Sequence, residues 1–214
     1  MAVAALGRRE QNKHDKRARI TAAARALFAH KGFAATTTQE IADAAGVAGG
    51  TIFTYARTKD DLLILVFHDE MLDVVERART RALQQPRLRD QAIAFFNEIA
   101  DYHERDLPLA RALMRQLSYV ESTDQRALVS QLMRRLLGHL AKLIDAAKAT
   151  GEVAASRPLT VAARTLFAVY FLHLNGLLNG YLDRAQFERA LASDFALVLA
   201  GLARFDAATP GHLI

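Results

Sequence analysis

The chain has 214 residues, 51% of them apolar and 24% charged, which is enough apolar surface for a packed core and excludes a disordered chain. It has no cysteine, which excludes disulfides, thiolate metal sites and cysteine nucleophiles, and its seven histidines form no close ligand pair, so no metal and no cofactor is implied. The net charge of +5 is concentrated: residues 1–60 hold ten Lys plus Arg against five Asp plus Glu, and residues 61–214 hold eighteen of each. A basic segment joined to a neutral body implies a polyanion partner for the segment and a separate task for the body.

The opening stretch MAVAALGRREQNKHDKRAR has too short an apolar run for a signal peptide. It reads as a basic arm carrying Arg8, Arg9, Lys13, Lys16, Arg17 and Arg19. From Arg17 to Lys31 the residues Ile20, Ala24, Leu27 and Phe28 recur at helical spacing, which predicts one buried face, and Gly32 is placed to end the helix. Thr37 stands three residues before Glu40 in a capping-box pattern, predicting a second helix over 38–45 that buries Ile41 and Ala45 and stops at Gly46. Val47 then fills the corner before a short third helix over 49–55.

That third helix has one strongly apolar residue for the core, Ile52. Gly49, Gly50, Thr51, Thr54 and Tyr55 are small or able to hydrogen-bond. Each glycine costs roughly 1 kcal/mol of helix propensity relative to alanine, tolerable at a helix end or for a close approach. A helix that buries so little of itself suits a second surface, and the major groove of B-DNA is wide enough to admit it. Lys59 follows, where Thr58 can cap the next helix and Asp60 and Asp61 complement its dipole. A lysine beside those free amides suits a phosphate.

The stretch RITAAARALFAHKGFAATTTQEIADAAGVAGGTIFTYARTKDDLL, residues 19–63, resembles the N-terminal DNA-binding domain of the TetR family of transcriptional regulators. The resemblance rests on an ordered series: a helix with an aromatic near its end, GF, TTxxEIAxAAGV, xxGTI, an aromatic-containing third helix, then TKDDLL. It implies an all-α fold of about nine helices. Residues 1–58 would be the arm and a three-helix DNA-binding domain with a helix-turn-helix, residues 59–206 a helical ligand-binding and dimerisation domain, and residues 207–214 a short tail. It also implies DNA contacts at Thr37, Gln39, Gly49, Thr51, Thr54, Tyr55 and Lys59. The sequence departs from the family's usual form at Ala48 and Gly49, where serine and lysine are common, and at Phe53, Thr54 and Ala56, where tyrosine, histidine and phenylalanine are common. Base reading would then rest more on Gln39, Thr51 and Thr54, with the basic arm restoring attraction to phosphates.

From Asp60 onward the apolar period stays helical. A long helix with Leu63, Val66, Phe67, Met71 and Val74 on one face runs towards Pro86, and further helices are predicted near 88–105, 107–119, 123–150, 159–182 and 184–205. The last two carry more apolar surface than one core requires. Leu166, Phe167, Tyr170, Leu174 and Leu177 line one side of the first, and Leu191, Phe195, Val198, Leu202 and Phe205 recur along the second. A two-fold homodimer forming a four-helix bundle supplies the extra partner, with Val169, Leu172, Leu178, Phe195, Leu199 and Leu202 as its expected face. Residues 165–182 carry no formal charge and reach membrane-spanning length, but His173, Asn175 and Asn179 favour a helix buried in protein, so no membrane is expected.

Phe67, Met71, Phe95, Phe96, Tyr102, Met114 and Phe171, with Asn175 as a polar contact, are the mixture a pocket for a largely apolar small molecule shows. No nucleotide loop appears, and Ser118, His173 and Asp183 form no recognisable triad, so no enzyme is expected. The expectation is a cytoplasmic, ligand-responsive regulator that binds double-stranded DNA at an inverted repeat as a homodimer and is released by a small-molecule effector. Repression is what the resemblance implies. The alternative is a helical scaffold or adaptor that has lost sequence-specific DNA binding.

Overall fold

The basic arm is the first half of a helix. In the computed structural model, which describes residues 7–120 and 122–203, α1 runs over Arg8–Lys31. No proline or glycine interrupts this stretch, and its Arg, Lys, Gln, Glu and Ala residues are good helix formers, so the helix extends well beyond its apolar stripe. The Arg9 side chain, Phe205 and the tail 207–214 lie outside the described residues.

Helix α2 spans Thr38–Ala45, as the capping pattern predicts. Thr37 Oγ1 accepts from the Glu40 amide at 3.2 Å, and the Thr37 amide donates to Glu40 Oε2 at 2.9 Å. Gly46 takes φ 62°, the left-handed conformation, which lets the Val47 amide reach back to the Ala42 carbonyl at 3.0 Å and close the helix. Helix α3 covers only Gly49–Ile52, shorter than the expected 49–55. With two glycines at its start it gains little propensity. Its C-terminal side then tightens into turns: Thr54 bonds to the Thr51 carbonyl at 3.1 Å and Tyr55 to that of Ile52 at 2.8 Å. Ile20, Ala24, Phe28, Ile41 and Ile52 are buried and hold α1, α2 and α3 together.

Helix α4 spans Lys59–Ala82. Its start is more enclosed than a one-faced helix, because every residue from Leu62 to Phe67 is buried. The remaining described helices are α5 (Leu88–Glu104), α6 (Leu107–Ser118), α7 (Thr123–Ala149), α8 (Leu159–Leu178) and α9 (Arg184–Ala203). Helix α8 ends before the expected 182, where the Tyr181 amide turns back to the Gly176 carbonyl at 2.9 Å.

The helices form two compact units. The first runs to Met71 and takes in Asp106–Ser130, so it holds α1–α3, the start of α4, α6 and the start of α7. The second is Leu72–Arg105 with the described residues from Gln131 onward. Its core is aromatic. Phe96 of α5 stacks on Tyr170 of α8 with centroids 4.3 Å apart, lies 5.6 Å from Phe195 of α9, and Tyr170 meets Phe187 at 6.4 Å. Each such pair is worth roughly 0.5–1.5 kcal/mol beyond its area burial. Helix α8 is long and apolar enough to cross a membrane by length and composition. It packs on α5 and α9, and His173 Nε2 lies 2.8 Å from Asp194 Oδ2 of α9.

Candidate functional site

Of the residues expected at DNA, Thr37, Gln39 and Thr54 are exposed, and Gly49, Thr51, Tyr55 and Lys59 are half-buried, all in the first unit. Four of them are already engaged inside the module. Thr37 spends its hydroxyl on the capping box, accepting from Glu40 and donating to Glu40 Oε2 at 3.0 Å. Gln39 Nε2 donates to Asp43 Oδ1 at 2.8 Å. The Tyr55 hydroxyl donates to the Lys13 carbonyl of α1 at 3.2 Å. Lys59 Nζ donates to the Ala34 carbonyl at 2.9 Å and sits 4.7 Å from the centroid of the Phe33 ring. These bonds orient the groups without exhausting them, since an ammonium has three donors and a primary amide two.

Glu40 also pairs with Lys31. That hydrogen bond, with those from Thr37, lowers its carboxyl pKa to about 2. The capping carboxylate is therefore charged at neutral pH, as the positive end of α2 requires.

The basic face of α1 divides into free and committed groups. Lys13, Lys16 and Arg19 are exposed. Arg17, expected in the DNA-binding arm, instead pairs with Asp69 of α4, which also meets the buried His68 at 3.1 Å. Burial opposes the charge of Asp69, and the hydrogen bonds from His68 and Arg17 outweigh it, holding the carboxyl below its ordinary pKa. Arg25 makes a second node: Nε donates to Glu70 Oε1 at 2.9 Å and Nη1 to Asp106 Oδ2 at 3.4 Å, while Asp106 Oδ1 caps α6 through the Leu109 amide at 3.0 Å. None of these acidic partners was legible as a functional signal. The four-residue spacing of Gln39 and Asp43 on one helix is a signal that could have found that pair.

The pocket candidates divide between the two units. Phe67, Met71 and Met114 belong to the first unit, and Phe95, Phe96, Tyr102, Phe171 and Asn175 to the second. Phe95 and Phe96 are fully buried in the aromatic core. Phe171 is 41% exposed and stacks on Phe167 at 5.8 Å, and Asn175 Nδ2 bonds to the Phe171 carbonyl of its own helix at 2.7 Å. Tyr102 lies edge-on to His103 at 5.3 Å. A polar atom that sequence reasoning missed is the Tyr170 hydroxyl, buried in this core with no hydrogen-bond partner among the described residues. Burial pushes its phenol well above the ordinary tyrosine pKa.

Two of the residues expected at a dimer face, Leu178 and Phe195, are enclosed by their own chain and present no surface to a second copy. Their apolar neighbours in α5, α8 and α9 claim them first. Val169, Leu199 and Leu202 are half-buried, and Leu172 is 68% exposed. Leu197, which the helical spacing did not single out, is 76% exposed on α9.

Residues 20–66 match the family model for bacterial regulatory proteins of the tetR family. The fatty acid metabolism regulator protein of Bacillus subtilis (strain 168) is 25% identical over 162 residues, spanning 73% of this chain and 80% of that protein. Thermus thermophilus FadR, a TetR-family transcriptional repressor solved in complex with lauroyl-CoA, superposes with a TM-score of 0.70 at 25% identity, covering 92% of this chain and all of that one. Bacillus subtilis FadR, solved with stearoyl-CoA, superposes at 0.64 and 20% identity over 86% of this chain and 97% of that one, a likeness of fold. The helix-turn-helix thus lies inside the segment that matches the tetR-family model, and the chain shares its helical fold with these TetR-family structures.

Proposed function

We propose that this protein is a ligand-responsive transcriptional repressor that binds an inverted-repeat operator in the cytoplasm as a homodimer and is released by a small molecule. The observation that carries the reading is the surface of α2 and α3. Gln39 and Thr54 are exposed and Thr51 is half-buried next to the glycine pair, while Ile41 and Ile52 are buried in the module's core, which leaves a polar face for a partner. Exposed Lys13, Lys16 and Arg19 supply attraction to phosphates, which makes binding depend steeply on salt through counterion release. The exposed Leu172 and Leu197 support pairing of α8 and α9 with a second copy, which places two reading heads on two half-sites.

For the effector, the lauroyl-CoA bound by the Thermus thermophilus relative supports an acyl-CoA. Its chain needs an apolar interior, and the aromatic cluster of the second unit, with the unpartnered Tyr170 hydroxyl, is where such a chain and one polar contact would be accommodated. Helix α4 runs through both units without interruption, so a displacement in the body can reach the reading head without unfolding.

Selection of duplexes from a random pool, followed by anisotropy titration of the selected operator, tests the reading. Lauroyl-CoA and longer acyl-CoAs release the DNA, whereas coenzyme A and free fatty acid act as controls. Operator must weaken acyl-CoA binding by the same factor by which acyl-CoA weakens operator binding. Failure to select any duplex would leave the scaffold alternative, and equal acyl-CoA affinity for free and DNA-bound protein would reject the effector.

A further inference from the structure

Gln39 opens α2 with its side chain exposed, and Asp43 follows one turn later with Oδ1 at 2.8 Å from Gln39 Nε2. A carboxylate only accepts hydrogen bonds, so the end of the amide facing it is the nitrogen. That contact decides which way the amide is turned. At the other end, a Cβ placed on Gly49 would stand 2.8 Å from Gln39 Oε1 and 3.7 Å from its Cδ. The amide thus crosses the start of α3 through the space that any other residue at 49 would fill.

We propose that Asp43 and Gly49 together hold the Gln39 amide in one orientation, and that Asp43 is a positioning residue for recognition of adenine; this rests on the reading of Gln39 as a residue that meets the bases. Asp43 engages one of the two amide N–H groups. The second N–H and the Oε1 acceptor remain, a donor beside an acceptor. Adenine offers the complement in the major groove, N7 as acceptor and the N6 amino group as donor, whereas guanine offers only acceptors, N7 and O6. An untethered glutamine must be ordered when it binds, and turning its amide over exchanges donor for acceptor. The tether removes both losses before DNA arrives. It also accounts for glycine at 49, since a side chain there would push the amide away from Asp43.

The test is a panel of single-base variants of the selected operator, measured with full-length wild type, Gln39→Ala, Asp43→Ala, Asp43→Asn, Gly49→Ala and the double variant Gln39→Ala/Asp43→Ala. Gln39→Ala flattens a preference for adenine at one position in each half-site, by about tenfold. Asp43→Ala and Gly49→Ala weaken the same preference at the same position several-fold. Asp43→Asn keeps an oxygen acceptor and restores it. In the Gln39→Ala background, Asp43→Ala changes the profile no further. Should Gln39→Ala alter the profile while Asp43→Ala and Gly49→Ala leave it as in wild type, the positioning role is overturned and the DNA-reading role of Gln39 survives. An unchanged profile for Gln39→Ala overturns both. A uniform loss of affinity for Asp43→Ala, or an effect that persists without Gln39, also overturns the positioning role.

Discussion

The Tyr55 hydroxyl donates to the backbone carbonyl of Lys13 across 3.2 Å, tying the turn after α3 to the basic half of α1. Tyr55 was expected to face the groove, yet this bond gives its hydroxyl an internal use. Tyr55→Phe keeps the ring and removes the bond. Stability should fall by about 1 kcal/mol or less, and affinity should weaken for all operators alike as α1 loses its hold on the turn. Thermal melting together with the operator-variant panel checks this, and a changed base preference would return the hydroxyl to the groove.

Lys59 has two partners in its own module, the Ala34 carbonyl and the Phe33 ring. If its ammonium also neutralises a phosphate, Lys59→Ala should weaken binding to every duplex similarly and reduce the slope of log K against log salt by about 1. Binding measured at several salt concentrations separates the roles, because a purely structural lysine leaves that slope unchanged while lowering stability.

Leu172 and Leu197 are the large apolar side chains most exposed along α8 and α9. Leu172→Arg places a charge on the proposed dimer face without touching the buried core. The variant should run as a monomer at micromolar concentration in light scattering and bind a full operator no more tightly than a half-site. A stable dimer with wild-type affinity would remove Leu172 from the interface.

His103 in α5 is buried, and burial lowers its pKa from 6.5 to about 4. The folded pKa lies below the unfolded one, so the unfolded chain takes up the proton first as pH falls. The stability contribution is complete above about pH 6.5 and is lost as pH drops towards 4, by about 3 kcal/mol in all. His139 is lowered in the same direction by burial. Glu76, whose pKa the hydrogen bond from Arg135 lowers to about 2, loses its contribution only below about pH 4.5. Urea unfolding at several pH values between 7 and 4.5 should therefore show a decline that His103→Leu makes shallower. An unaltered slope would mean that His103 is not held neutral in the folded state.

The ends of α2 were legible in the sequence because their causes are local. Thr37 and Glu40 cap within three residues of each other, and Gly46 supplies the left-handed turn next to the helix it ends. The apolar stripe of α1 was equally legible, whereas its first half carries no stripe and was read as an arm, although nothing in it breaks a helix. Spacing also showed that α8 and α9 have more apolar surface than one partner covers. It could not show which residues the chain itself encloses, because Phe195 and Leu172 look alike until α5 packs on α9 and shuts one of them in. Gly49 illustrates the same limit. Its glycine was visible, but not that a Cβ there would stand 2.8 Å from Oε1 of Gln39, ten residues earlier. Caps and stripes are set by neighbours a turn away along the chain, so sequence determined them. Enclosure and close approach depend on which distant helix arrives, and only the tertiary structure decided those.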